Sequence, residues 1–187
     1  MKKSILCISL FFSVSTFAQF HLASFNKDVS NALSKVIEDF PNNFNNIRGD
    51  IIGTGIQSTN YTCTVNIDGA DSSIIIQNGE DKDNIYSWRE VVFETEAFDE
   101  AKTKFHEYFN KIKGTSAIID NKKINFLATY NSPDDSKRFA SILFIADPNI
   151  QQIKNVVIDL SLQYLFSNWQ ISISVYEHTD YGVDENQ

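Results

Sequence analysis

The chain has 187 residues, of which 42% are hydrophobic and 13% aromatic, and it contains only 3 Pro and 7 Gly. This length and composition predict a packed globular protein of one domain, or of two small ones, and exclude collagen-like, low-complexity and intrinsically disordered chains. The formal net charge of −8 repels phosphate backbones and anionic lipid surfaces, so nucleic acid is not an expected partner.

The N-terminus has the three regions of a bacterial-type signal peptide. Lys2 and Lys3 precede a short apolar run, and Thr16-Phe17-Ala18 provides a small-x-small cleavage site. The alternatives are a short buried helix or a membrane anchor, but the run is shorter than the roughly 20 residues that span a bilayer. We therefore predict a cleaved signal peptide over residues 1–18, export to the periplasm or the medium, no membrane span, and a single α+β domain over residues 19–187.

Cysteine usage fits an exported chain without a disulfide. Cys7 lies in the predicted signal peptide, so Cys63 is the only cysteine left after cleavage. A lone thiol can act as a nucleophile, but Cys63 shares one face of a predicted strand with Tyr61, Val65 and Ile67. We expect it to be a small, inert part of the core.

The first half of the mature chain is predicted to be a helix followed by strands. Apolar residues in the segment 28–40 recur at spacings of three and four, and Pro41 ends the helix. The period then changes to two, which is typical of half-buried strands. These strands are predicted over residues 61–67, 73–77 and 86–94, with a turn at Asp68-Gly69.

The second half repeats this order. Thr95 is placed to cap a second helix, and Gly114 to end it. The predicted apolar face of this helix consists of Ala97, Ala101, Phe105, Phe109 and Ile112. Strands are predicted over residues 123–130, 138–146, 156–164 and 169–177. Residues 150–160 also fit a helical period, but we favour a strand from Val156 onward.

The predicted order is a helix, antiparallel strands, a second helix and further antiparallel strands. This order is typical of an α+β fold in which two helices pack on an antiparallel sheet. The halves also align in sequence: residues 32–40 match 101–109, and residues 73–76 match 141–144. We therefore consider a tandem duplication of two helix-plus-meander units, 28–94 and 97–177. The alternative is that any two amphipathic helices followed by strands align this well once gaps are allowed.

No motif in the chain points to a metal or a cofactor, and we predict neither. His21, His106 and His178 each lack a second ligand at a metal-binding spacing. His106 falls on the polar side of the second helix, and we expect the other two to lie in mobile ends. Residues 66–72 resemble a calcium loop only poorly and are better explained as a hairpin turn. Trp88 and Trp169 each begin an alternating strand, where core packing is expected rather than a sugar-binding platform.

The last predicted hairpin has an unusual face. Its apolar residues, including Ile158, Leu160 and Ile173, alternate with a set that is polar and almost uncharged. That set is Asp159, Ser161, Gln163, Gln170, Ser172, Ser174 and Tyr176. An ordinary solvated sheet usually carries Lys and Glu, so this face is typical of a contact surface for a ligand or partner. The alternative is a plain solvent face, or one covered by another segment of the chain.

These observations favour an exported, non-enzymatic binding or interaction module for a protein or small-molecule partner that the sequence does not identify. One alternative is a secreted hydrolase or isomerase whose site, for example His106 with Glu107 or Asp159, assembles only in the fold. This enzyme hypothesis requires a pocket in which a desolvated titratable side chain lies beside a second side chain that can act with it. Another alternative is a structural component of an envelope assembly, which requires an exposed apolar patch or an open sheet edge.

Overall fold

A computed structural model describes residues 25–70, 73–79, 84–148 and 150–178, and within these ranges two α-helices accompany one nine-stranded antiparallel sheet. The helices are α1 (Phe25–Asp39) and α2 (Phe98–Lys113). The strands are β1 (Arg48–Thr54), β2 (Ser58–Cys63), β3 (Ser73–Asn78), β4 (Ile85–Thr95), β5 (Ser116–Ile119), β6 (Lys122–Leu127), β7 (Phe139–Asp147), β8 (Val156–Leu165) and β9 (Asn168–Glu177). Their order in the sheet is β1-β2-β3-β4-β9-β8-β7-β6-β5. The predicted α+β class is thus confirmed.

The core lies between the sheet and the helices. Strand residues at every second position are buried, among them Ile158, Leu160 and Ile173, each at 0% exposure. Helix α2 packs on the same face, with Phe109 5.2 Å from Phe144 between ring centroids. We call this face of the sheet the inner face and the opposite one the outer face.

Helix α1 ends in a tight loop that returns the chain to the sheet. Its apolar positions from Val29 to Ile37 are buried. The carboxylate of Asp39, the last helical residue, accepts the backbone N–H of Asn46 at 2.9 Å and that of Ile47 at 3.2 Å. This carboxylate therefore accepts hydrogen bonds from two backbone N–H groups of the loop that have no partner in a neighbouring strand. Side chains at helix ends commonly satisfy backbone groups in this way.

The two edges of the sheet differ. Along β5, Ser34 Oγ of α1 donates to the carbonyl of Ser116 at 2.6 Å, and Glu38 accepts the N–H of Ile118 at 3.1 Å. Strand β1, at the other edge, has two register irregularities against β2, and its Ile51 is 60% exposed. Side chains of α1 thus cap one edge, whereas the other edge is only distorted by bulges.

The structure corrects several predicted boundaries. Strands β1 and β5 were not predicted. The strand predicted over residues 61–67 ends at Cys63, because the N–H of Ile67 is taken by a side chain instead of a neighbouring strand. Ala97 was expected in the buried face of α2, but it is the exposed N-cap residue, and Tyr108 is buried in that face instead.

Other predictions hold. Strand β8 begins at Val156, and only a short 3-10 turn, Gln151–Ile153, lies before it. Gly114 is the C-cap of α2. The predicted signal peptide at residues 1–18 and His21 lie outside the described residues, as do the last two positions of the segment 66–72.

Candidate functional site

The seven polar residues of the last hairpin lie together on the outer face of β8 and β9. Antiparallel pairing sets Asp159 opposite Ser174, Ser161 opposite Ser172, and Gln163 opposite Gln170. Tyr176 follows at the end of β9. We call these residues the β8–β9 outer face: Asp159, Ser161, Gln163, Gln170, Ser172, Ser174 and Tyr176.

Side chains of this surface hydrogen-bond to one another and to neighbouring strands. The hydroxyl oxygens of Ser161 and Ser172 are 2.9 Å apart. Gln170 Nε2 donates to Glu94 Oε1 on β4 at 2.6 Å. Ser172 is only 4% exposed and lies between Ser161 on β8 and Val91 on β4. Hydrogen bonds between neighbouring strands therefore satisfy part of the polar groups of this surface.

Asp159 is the titratable carboxyl of this surface. Its Oδ1 accepts the hydroxyl of Ser141 on β7 at 2.5 Å, and its Oδ2 accepts the hydroxyl of Tyr176 at 3.4 Å. Burial raises the pKa of Asp159, while these hydrogen bonds and the positive charge of Arg89 oppose that rise. Burial, together with the negative Asp159, raises the pKa of Tyr176 to about 12.

A pocket of about 220 Å³ lies at the start of β8, and Asp159 is not among the residues that line it. Leu143, which lines it, lies directly opposite Asp159 in the pairing of β7 with β8. The lining residues are Leu143, Ile145, Ala146, Asn155, Val156, Val157 and His178. Apolar side chains thus form most of the pocket wall.

His178 was expected in a mobile end, and that expectation was wrong. Its backbone N–H donates to the carbonyl of Asn155 at 2.8 Å, and its side chain is half-buried. The hydrogen bond continues the β9 pairing one residue beyond Glu177, which brings the imidazole to the pocket wall.

The predicted pairing of His106 with Asp159 is not assembled. His106 is exposed on α2, where its ring is 4.7 Å from that of Tyr130. Because α2 packs on the inner face and Asp159 lies on the outer face, the sheet separates the two groups. Glu107 forms a salt bridge with Lys104 at 2.9 Å and also belongs to the helix side.

The remaining candidates are structural. Cys63 and both tryptophans are buried, as predicted, with Trp88 at 0% and Trp169 at 7% exposure. Asn66 Oδ1 accepts the N–H of Ser73 at 3.1 Å and so fixes the turn before β3. Among the described residues, no group of three His, Cys, Asp or Glu side chains is arranged to hold a metal ion. No helix in this part of the chain is both long and apolar enough to cross a membrane.

Glu90 is a buried carboxyl that the sequence analysis did not single out. It lies on the inner face of β4 at 1% exposure, and both its oxygens accept the N–H of Ile67, at 3.1 and 3.0 Å. Desolvation raises its pKa to about 7, against the lowering effect of that hydrogen bond. The one available signal was a carboxylate at a core position of the strand predicted over residues 86–94. Because the group is sealed from solvent, it serves the fold and not a substrate.

The chain has no significant match among protein-family models, curated proteins or solved structures.

Proposed function

We propose that this protein is an exported, non-enzymatic binding module whose partner contacts the β8–β9 outer face. The observation that carries the proposal is a surface of short, mostly neutral polar side chains on the side of the sheet opposite α2. Ser161 and Ser172 already hydrogen-bond to each other, so covering them leaves few donors and acceptors without partners. Such a surface is easier to dehydrate than one of Lys and Glu.

Apolar side chains beside this surface support the same proposal. On β6 and β7, Leu127, Phe139 and Ile145 lie on the outer face and are 55%, 55% and 58% exposed. On β3, Ile74 and Ile76 alternate with buried Ile75 and so also lie on the outer face. A partner that spans the sheet would bury apolar area on both sides of the polar centre, which favours association.

The enzyme alternative has one observation in its favour. Asp159 is a partly desolvated carboxyl beside two hydroxyl groups, which meets part of the requirement stated for that hypothesis, although it does not line the pocket. However, β8 is a central strand, paired with both β7 and β9, so its backbone N–H groups are engaged in the sheet. They do not supply an oxyanion hole, and binding explains the site better than acyl transfer does.

The assembly alternative is supported at β1. Ile51 and Ile52 are 60% and 56% exposed on this edge strand, and Ile56 in the following turn is 98% exposed. Exposed edge strands are templates for pairing with other chains. The two register irregularities of β1 oppose such pairing, so we place this alternative second.

Export is proposed from the basic, apolar and small-x-small regions of residues 1–18. Intact-mass measurement on protein from the native host should show loss of this segment, and a full-length mass would refute export by this route.

We also propose the duplication of units 28–94 and 97–177. It is supported by two helices that are each followed by an antiparallel meander, and by the pairing of the last strands of the two halves, β4 and β9, at the centre of the sheet. Superposition of the two halves tests the duplication. If the two helices occupy different positions relative to equivalent strands, the duplication is refuted.

The binding proposal is tested by placing two charges on the surface. In the double variant Gln163→Lys with Gln170→Lys, the lysine tails extend from the outer face into water. We expect a stability loss of about 1 kcal/mol, from the broken Gln170–Glu94 hydrogen bond. Capture of the partner from an envelope extract of the native host should fall at least tenfold.

The matched control adds the same two charges on the exposed side of α2, as Thr103→Lys with Asn110→Lys. This control should capture the partner as the wild type does. Equal capture by all three proteins would refute the proposal. A loss of several kcal/mol in the surface variant would also refute it, because that result would mean that the face is internal.

A further inference from the structure

We propose that the partner of the outer face is a second copy of this chain, packed face to face with the first about a two-fold axis that runs along β9. This inference rests on the proposed function, because it uses the same surface, and it adds the identity of the partner.

The order of the strands makes the outer face suitable for such a dimer. Strand β9 is the fifth of the nine strands, with β4 and β3 on one side and β8 and β7 on the other. A two-fold axis that lies between two stacked sheets, parallel to β9, places β4 of one copy over β8 of the other and β3 over β7. The same surface then serves both copies, as in any two-fold dimer.

The charges on β4 and β8 are complementary across this axis. Arg89 on β4 and Asp159 on β8 are both register partners of Ser174 on β9. They therefore lie on the outer face at the same height and on opposite sides of the axis. The axis sets Arg89 of each copy over Asp159 of the other, which gives two ion pairs. Stacked sheets lie about 10 Å apart, a gap that an extended Arg and an Asp side chain bridge together.

Both charged groups have hydrogen-bonding capacity for such a pair. Arg89 forms no salt bridge with any residue that the structure describes. The two oxygens of Asp159 accept hydroxyls from Ser141 and Tyr176, whereas an ionised carboxylate has about four acceptor positions. When the second sheet covers this region, the lower local dielectric strengthens the bond between guanidinium and carboxylate.

Apolar residues also match across the axis. The row of paired residues through Ser174 continues to Ile74 on β3 in one direction and to Leu143 on β7 in the other. Ile76 and Ile145 lie two residues further along these strands, on the same side of that row. The axis therefore sets Ile74 over Leu143 and Ile76 over Ile145 of the other copy. Contact between them removes apolar surface from water, and Ile145 alone is 58% exposed.

The size of the matched surface fits a specific dimer. The strands from β3 to β7 are five in number. At a spacing of about 4.8 Å, and over about eight residues of about 3.3 Å each, they form a patch of roughly 600 Å² on each copy. A standard interface buries about 800 Å² per partner, so these strands supply most of the area required.

Sedimentation velocity of the purified protein measures this association. The net charge of −8 on each copy opposes dimerisation at low ionic strength. The experiment therefore uses about 0.15 M salt, which screens exposed charges beyond about 8 Å and partly buried pairs much less. Between about 1 and 200 µM protein, the average mass should rise towards twice that of one chain. A protein that stays monomeric over this range would overturn the proposal.

Two charge reversals test the position of the axis. Arg89→Glu sets a negative charge over Asp159 of the other copy, and Asp159→Lys sets a positive charge over Arg89. Each variant alone should dimerise at least tenfold more weakly. An equimolar mixture of the two should form heterodimers about as tightly as the wild type, because both facing pairs then have opposite charges. Mixing repairs no contact within one chain, so folded variants that show no recovery would overturn the proposal.

An exposed apolar position provides a second, independent test. Ile145→Lys leaves the core unaltered and should weaken dimerisation at least tenfold. Its control is Ile56→Lys, which adds the same charge in the turn after β1, at a position that is 98% exposed, and should dimerise as the wild type does. Equal dimerisation by the wild type and the Ile145 variant would overturn the proposal, and this comparison decides the question if a charge reversal fails to fold.

Failure of the dimer is distinguishable from failure of the wider binding proposal. A monomeric wild type that captures a different protein, and loses it in Gln163→Lys with Gln170→Lys, refutes only the second copy as the partner. A dimer that persists in the charge and Ile145 variants forms through another surface, such as the β1 edge, and refutes the arrangement about β9.

Discussion

Glu90 shows how one side chain makes the stability of this fold depend on pH. Its carboxyl is sealed on the inner face, and its pKa is raised from an ordinary value of 4.5 to about 7. Between these two pH values the folded protein holds a proton that the unfolded chain has lost. The free energy of unfolding therefore falls as pH rises through this window. Above the window, Glu90 makes no further contribution to the pH dependence of stability.

We predict that Glu90→Gln flattens this dependence. Gln keeps an oxygen for the N–H of Ile67 and cannot ionise, so the variant should lose less stability than the wild type between pH 5 and pH 8. The difference should be about 2–3 kcal/mol, since one pKa unit corresponds to about 1.4 kcal/mol. Urea unfolding at the two pH values measures it.

Glu96→Gln, at an exposed position, is the control and should keep the wild-type dependence. Asp159, whose pKa is also raised, changes stability in the same direction with pH and remains in both variants. A Glu90→Gln protein with an unchanged pH dependence would show that the carboxyl titrates normally in the folded state.

At the scale of elements, α1 acts as a cover for the β5 edge. The N–H of Ile118 points away from β6 and is accepted by Glu38, so this amide has a partner despite its edge position. Without that partner it would face water or another chain.

We predict that Glu38→Ala increases hydrogen exchange at the amide of Ile118 and lowers stability by about 1 kcal/mol, the value of one hydrogen bond. Lys35→Ala, at an exposed position one helical turn earlier on α1, should leave that amide protected. Unchanged exchange at Ile118 in the Glu38 variant would argue that α1 does not cover the edge.

Helices and strands were predictable from the sequence where their buried residues recur at a regular spacing. Strands β8 and β9 alternate strictly and were placed to within one residue. Strand β1 was missed because Ile51 and Ile52 are adjacent and both exposed on a bulged edge, so no alternation exists to detect. Strand β5 has four residues, which is too short for a period.

The candidate site was predictable to the same degree. Alternation alone placed Asp159 and Tyr176 on one face, because every second residue of a strand points the same way. The contact of Asp159 with Ser141 and the position of His178 at the pocket depend on the register of three strands. Register arises from the whole sheet, and no local pattern in this sequence encodes it.

At the scale of the molecule, the sheet divides two kinds of surface. The inner face is occupied by α2 and the core, while the outer face carries the polar centre, the apolar flanks and the pocket. We therefore propose that a partner binds this outer face.

Site-specific photo-crosslinking in the native host tests that claim most directly. A benzophenone amino acid replaces Gln163, exposed on the outer face, or Thr103, exposed on α2. We expect a discrete adduct from position 163 and none from position 103. No adduct from position 163, or the same adducts from both positions, would contradict it.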